Sequence, residues 1–514
     1  MKKNYLLIAA LAIGTCASAQ KKTDPTKYGN LITAEDAKRH LSVLASDDFE
    51  GRETGKPGAD KAANYIAGEF KKLGLQAPVN GSYFLDVPLV ENSTNITLSV
   101  NGQALTNGQD FFAGRGAAAD KTVDAAEVVF IGYGTDAELG SADLSGKVLV
   151  WVNEDKPETG KTANTAYRMS NARMAVLKNL QSKNPALILA VNGDVANLLK
   201  RMGGSITGGR LTIKQDAAKP AASTTAAVLN IAPATADALL KSSGKTYDEL
   251  KSTSAQPVKA AVKADIHTAL KDVHAVDVLG YMPGTDLKDE VLVFSAHYDH
   301  LGLNPKGPDK VYNGADDDGS GTTGILEIAR AFSQAKKDGH GPRRSILFLG
   351  NVGEEKGLLG SEYYTDHPVF PLANTITDLN IDMIGRVGFD YIGKPDSGNY
   401  VYTIGSAMLS KELHQINEDA NNKYVHIEQD YKYDDLADPN RFYYRSDHYN
   451  FAKHGVPIIF YFNGVHADYH QVSDEVSKIN FPLLAKRAQL VFYTGWELAN
   501  RDKRPVVDGQ TTGK

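Results

Sequence analysis

The sequence is almost without cysteine: Cys16 is the single one in 514 residues. A chain so poor in thiol cannot be a disulfide-stapled scaffold. Any metal it binds must be held by His, Asp or Glu. It also lacks a strong excess of charge. The net charge is −6, from 56 basic and 62 acidic residues spread along the chain, which argues against a nucleic-acid surface. Beyond the N-terminus no apolar stretch is long enough to cross a bilayer, so no stable membrane span is expected. Neither an internal repeat nor a long low-complexity segment is evident. What remains is an ordinary soluble composition, 42% hydrophobic and 23% charged, at a length that predicts two or three domains.

The N-terminus stands apart. Met1-Lys2-Lys3 is basic, Leu6 to Ile13 is a compact apolar run, and Ala17-Ser18-Ala19 gives a small-residue cleavage site before Gln20. The pattern predicts a cleaved signal peptide over 1–19 and a protein exported to the periplasm or the extracellular space. Cys16 is then an incidental residue of the signal. A lipidated cysteine is the alternative, although Ile13-Gly14-Thr15 fits a lipoprotein site poorly.

Periodicity organises the rest. Thr33 is expected to cap a helix, with Asp36 three residues on. A second helix is expected from Pro57 to Leu73, stopped by Gly74 and burying Ala63, Tyr65, Ile66, Phe70 and Leu73. From about Val123 short apolar runs alternate with Ala-, Lys- and Thr-rich links, and 120–273 reads as an inserted β-rich domain. It interrupts a larger domain formed by 20–119 and 274–500, and 501–514 reads as a flexible tail. After Val276, β-branched runs alternate with helical patterns. Candidate strands are Val291–Ser295, Ser345–Gly350, Thr375–Ile381 and Pro457–Phe462. Candidate helices are Gly319–Ser333, Leu409–Asn421, Asp447–Lys453 and Leu483–Ala499. This predicts an α/β class: a doubly wound, mostly parallel mixed sheet with helices on both faces.

Open α/β sheets place their sites beyond the carboxyl ends of the strands. Four such ends here are rich in ligand chemistry: 295–300 (SAHYDH), 350–355 (GNVGEE), 380–382 (NID) and 466–470 (HADYH). A fifth cluster, 313–321 (NGADDDGSG), precedes a helix. Each alone reads as a loop histidine, a turn or a solvated acid pair. Together they put carboxylates where apolar strands end, which is costly without a cation. Imidazole and carboxylate are donors zinc accepts without thiolate. A carboxylate touching two metals would hold them roughly 3.5–4 Å apart around a water of lowered pKa. Of two adjacent glutamates, one can ligate while the other moves the water's proton.

These residues resemble the co-catalytic zinc exopeptidases, a family that includes bacterial leucyl aminopeptidases and glutamate carboxypeptidases of transferrin-receptor-like architecture. The matching stretches are 295–302 (SAHYDHLG), 313–322 (NGADDDGSGT), 353–361 (GEEKGLLGS), 380–386 (NIDMIGR) and 468–475 (DYHQVSDE), with a weaker match at 44–75. The resemblance implies two zinc ions per chain and peptide substrates. It implies His297 and Asp382 on one metal, Glu355 and His470 on the other, and Asp317 bridging through a cis Asp317–Asp318 peptide. Glu354 becomes the general base and Tyr469 the donor to the oxyanion, unless Tyr469 is only a packed aromatic. Asp299 is expected to orient His297, and Asp318 to support the site from behind its ligands. Ser446-Asp447-His448 matches an element near the substrate end, or is a helix cap with a structural histidine. His300, His454 and His466 receive no role. Residues 128–157 resemble a protease-associated (PA) domain.

The implied activity is aminopeptidase. A carboxypeptidase remains open, since Arg386 and Arg445 could hold substrate carboxylates. A metal-free binding protein is the alternative from another class. Preferred first residue, native metal and oligomeric state are not legible in the sequence.

Overall fold

The computed structural model describes residues 23–113, 120–157, 167, 169–202, 209–214 and 225–509. The expected signal peptide and Cys16 lie outside them. No helix among the described residues is long and apolar enough to cross a membrane. The chain divides into two compact units, one formed by Met1–Asp86 with Val276–Lys514 and the other by Val87–Ala275.

In the first unit eight strands form a mixed sheet among the described residues. Its centre is parallel: Arg344–Asn351, Leu287–His297, Thr375–Ile381 and Ile458–Phe462 lie side by side. Val276–Met282 is antiparallel to Arg344–Asn351 at one border, and Tyr400–Ile404 is antiparallel to Ile458–Phe462 at the other. Every residue of Arg344–Asn351, Thr375–Ile381 and Ile458–Phe462 is buried, so both faces must be covered. The helices Ala34–Leu44, Pro57–Leu73, Gly319–Lys337 and Phe481–Asn500 pack on one another, while Leu359–Asp366 and His448–Lys453 form a separate pair.

Local signals act as expected. Thr33 Oγ1 accepts the Asp36 N–H, and Gly74 ends its helix at φ +80°. Ala63, Ile66 and Phe70 are buried; Tyr65 and Leu73 are only partly so.

The second unit holds its own mixed sheet, with Lys121–Phe130, Val148–Val152, Leu187–Val191 and Val228–Ile231 parallel in that order. It begins at Val87 rather than 120. The reason is Leu89–Val100, which pairs antiparallel with Gln256–Val273 along its whole length. That strand carries the polar run Glu91–Asn95 and alternates apolar with polar residues only from Ile96 to Val100, a weak signal next to the apolar runs after Val123.

Candidate metal centre

Each central strand delivers ligand chemistry at its carboxyl end. His297 is the last residue of Leu287–His297, and Asp382 follows Thr375–Ile381. Arg344–Asn351 leads through the left-handed Gly353 (φ +75°) to Glu354 and Glu355. Ile458–Phe462 leads into the loop carrying Tyr469 and His470. Asp317 sits before the helix Gly319–Lys337 and is joined to Asp318 by a cis peptide.

These side chains converge around Asp317. Its Oδ1 lies 3.3 Å from His297 Nε2, and its Oδ2 lies 3.1 Å from His470 Nε2. Asp382 Oδ1 is 3.7 Å from the same His297 nitrogen, and Glu355 Oε2 is 3.1 Å from the same His470 nitrogen. One carboxylate therefore faces two separate imidazole–carboxylate pairs. Glu354 Oε2 stands 3.9 Å from His297 Nε2.

The supporting contacts correct one expectation. His297 Nδ1 bonds the main-chain oxygen of Asp299 at 3.1 Å, whereas the Asp299 carboxylate is 3.7 Å away. That carboxylate instead accepts the Glu354 N–H at 3.1 Å and the Thr54 hydroxyl at 2.7 Å. It thus positions the expected base as well as neighbouring the imidazole. Asp318 Oδ1 caps its helix through the Gly321 N–H at 2.8 Å and reaches the Met383 N–H at 2.9 Å. It thereby locks the Asp317 turn to the strand end that bears Asp382. Asp318 also lies with His297 and Asp382 in a group whose ligand atoms are within 4.8 Å of one another.

Three further residues escape the sequence reading. Arg52, fully buried, donates to the main-chain oxygens of Leu44, Tyr298, Asn313 and Gly314, tying the opening segment to both ligand loops. Asp474 Oδ2 accepts the N–H groups of Asp316 and Asp317. His300 is buried with Nδ1 2.9 Å from Glu355 Oε1, so Glu355 has an imidazole at each oxygen. Its place three residues after His297, in a loop otherwise rich in ligands, was the available signal. Elsewhere His466 Nε2 is 3.1 Å from Asp316 Oδ2, and His454 Nε2 is 3.1 Å from Asp366. His448 Nε2 bonds the Tyr443 carbonyl, and burial holds it down to about 3. Asp447 precedes that helix but makes no capping bond.

The electrostatics are those of crowded anions. Burial pushes the Glu354 carboxyl well above its usual range; His297 partly offsets this, while Glu355 and Asp382 add to it. Burial likewise raises Asp382. It works against the charge on His470, yet Asp317 and Glu355 outweigh it and hold that imidazole at about 10. Burial, with the Asp317 and Glu355 charges behind it, also pushes the Tyr469 phenol up.

His297 Nε2, His470 Nε2, Asp317 Oδ2 and Glu355 Oε1 are buried without a hydrogen-bond partner. Buried polar atoms are almost always satisfied. A set of orphaned imidazole nitrogens and carboxylate oxygens converging on one carboxylate suits zinc as a donor set, and a divalent cation would offset the crowded charge.

Beside the cluster opens a small, partly open cavity. Asp317, Glu354, Asp382 and Tyr469 form its polar side, and Met383, Phe442, Phe460, Phe462 and Val465 its apolar side, with Arg445 also on the wall. Arg386 is not there: it bonds Asp468 at 2.8 Å and lies 3.7 Å from Asp474.

The profile of the family described as Peptidase family M28 matches residues 277–495. Aminopeptidase YwaD of Bacillus subtilis (strain 168) is 33% identical over 111 residues, 21% of this chain and 22% of that protein. Leupeptin-inactivating enzyme 1 of Streptomyces exfoliatus is 28% identical over 251 residues, covering 45% and 49%. The chain thus aligns with under half the length of these curated relatives. The solved aminopeptidase from Aneurinibacillus sp. strain AM-1 superposes with a TM-score of 0.58 over 95% of this chain and 98% of that one, at 19% identity. That likeness establishes a shared fold.

Proposed function

From the match of residues 277–495 to peptidase family M28, we propose that the chain is a zinc-dependent aminopeptidase that releases the first residue of peptides. The observation that carries the reading is Asp317, whose two oxygens face two different imidazoles at 3.3 and 3.1 Å. His297 and Asp382 would hold one zinc ion, Glu355 and His470 a second, with Asp317 shared between them. When bound, the pair supplies Lewis acidity for the scissile carbonyl and lowers the pKa of an attacking water. Glu354 takes the proton from that water and returns it to the leaving amine. The Asp299 carboxylate fixes Glu354 through its main-chain N–H. The Tyr469 hydroxyl donates to the carbonyl oxygen as it gains charge.

The cavity gives the substrate's first side chain an aromatic seat of Phe442, Phe460 and Phe462. That supports bulky apolar first residues. A carboxypeptidase would need guanidinium groups free for a substrate carboxylate. Arg386 is already engaged by Asp468 and Asp474, which leaves Arg445 on the cavity wall as the one candidate of the two, and the substrate panel below decides between the readings. The segment 1–19 supports export, and the unit Val87–Ala275 is read as PA-like from residues 128–157.

Chromogenic aminoacyl and N-blocked acyl substrates test this on the purified protein, with bound metal counted in parallel. The expected result is hydrolysis of free-amine substrates only, abolished by chelator, restored by zinc, with two ions per chain. Turnover confined to N-blocked acidic substrates would replace the reading with a carboxypeptidase.

A further inference from the structure

Arg445 stands on the cavity wall with no carboxylate within ion-pair distance among the described residues. Its Nη2 lies 3.2 Å from the Tyr469 hydroxyl, and its guanidinium carbon lies 4.9 Å from the centroid of the Phe442 ring. The position is built. The Phe442 N–H donates to Asp438 Oδ2, and the Arg445 N–H donates to the Phe442 carbonyl. The next residue, Ser446, is buried and accepts from Asn380 Nδ2 at 2.9 Å. Tyr469 is held from its other side, stacked on His470 with ring centroids 3.9 Å apart.

A guanidinium carries only donors. In the Arg445–Tyr469 contact the phenol oxygen must therefore accept, and its own proton must point elsewhere. From the geometry we propose that Arg445 is a positioning residue: it occupies the acceptor side of the Tyr469 hydroxyl and turns the hydroxyl proton toward the substrate carbonyl. Without it the hydroxyl is free to turn to the carboxylates that share the cavity wall, Asp317 and Glu354. A charge-assisted bond to the phenol oxygen also makes that hydroxyl a stronger donor. This rests on the proposed acyl-transfer chemistry and assigns Arg445 a role in it that does not involve binding a substrate carboxylate.

The test is a double-mutant cycle of Arg445→Met and Tyr469→Phe, with Arg445→Lys as rescue, on whichever substrate the wild type turns over. Methionine keeps the packing on Phe442 and removes the donors. Arg445→Met should lower kcat about tenfold with KM within about twofold, the loss of one oriented hydrogen bond. In the Tyr469→Phe background the same change should cost under about twofold, because no hydroxyl remains to orient. Arg445→Lys, also a pure donor, should recover a large part of kcat, with zinc content and melting temperature unchanged in all variants. A full tenfold loss in the Tyr469→Phe background, or a raised KM at unchanged kcat, would overturn the proposal and make Arg445 a substrate contact. Which substrate is turned over judges the aminopeptidase reading separately, since the cycle reads only the coupling.

Discussion

The two units end their parallel strands in different ways. In the unit that carries the candidate metal centre the strand ends hand over to His297, Glu354, Glu355 and Asp382, and His297 Nε2 and Glu355 Oε1 are buried there without a hydrogen-bond partner. In the unit Val87–Ala275, the strands Val148–Val152 and Leu187–Val191 also run into buried polar residues, Asn153, Glu154 and Asn192. There the chain supplies a counter-charge, although Asn153 Oδ1 and Glu154 Oε2 are also buried without a hydrogen-bond partner. Glu154 accepts the Gly193 N–H at 3.0 Å and meets Lys251 Nζ at 3.2 Å, while Arg173 and Asn192 donate to the Asn153 carbonyl. Both sheets bury charge where the backbone opens; one sets a lysine against it, and the other, on the proposed reading, leaves the task to cations. A deficit of hydrogen-bond partners therefore does not mark a site by itself, since Asn153 Oδ1 and Glu154 Oε2 share it; what sets His297 and His470 apart is that both imidazoles converge on one carboxylate, Asp317.

The largest expected effect breaks that convergence at its centre, Asp317. Asp317→Asn should lose both zinc ions and lower kcat/KM by at least about 10⁴-fold, read by metal analysis and aminoacyl hydrolysis, since a shared ligand positions both ions. Glu354→Gln should keep both ions and lose roughly 10²–10⁴-fold in kcat. The same variant, stripped of metal, should melt above metal-free wild type at pH 7. Burial disfavours the charged Glu354 carboxyl, so the folded state gains when that charge is removed. An unchanged or lower melting temperature would show that no electrostatic strain resides there.

The proton balance follows from the same crowding. Asp317 and Glu355 hold the metal-free His470 at about 10 against the effect of burial. A ligand imidazole must be neutral, so zinc binding at pH 7 should release a proton from this residue. Apparent affinity should then rise with pH until about 10 and fall as the solution is acidified. Calorimetry in two buffers of different ionisation enthalpy measures the protons released; none released would contradict the sign. A smaller effect concerns His300. His300→Ala removes one of the imidazoles at Glu355 and should weaken zinc retention by about 10–100-fold.

Much of this was legible in the sequence because strand ends and ligands coincide along the chain. Thr375–Ile381 is bounded as expected and Gly319–Lys337 starts where its Asp-Gly boundary puts it. The apolar runs of the central strands carry their own signal. What escaped needed long-range information. Arg52 acts on carbonyls more than two hundred residues away, and an arginine before a Thr-Gly turn announces nothing of that. His300 looked like a loop residue because burial, not residue type, distinguishes it. Leu89–Val100 belongs with the second unit, which the sequence does not announce because its pairing with Gln256–Val273 runs from Val100↔Val262 to Leu89↔Val273, far along the chain.

The mildest test applies to the other side of the comparison. Lys251→Met leaves Glu154 buried with only the Gly193 N–H as a defined donor. Breaking a fully buried pair costs about 3–5 kcal/mol, but the Lys251 side chain is 25% exposed, so screening reduces the expected loss to about 1–2 kcal/mol. At about 2–4 °C per kcal/mol for a unit of this size, the calorimetric transition of Val87–Ala275 should shift down by a few degrees. Adding Glu154→Gln should return most of the shift, because it removes the stranded charge rather than a contact. If the double variant melts no higher than Lys251→Met alone, the lysine acts through packing. The claim that this unit supplies its own counter-charge would then fail, and with it the contrast to the unit that carries the candidate metal centre.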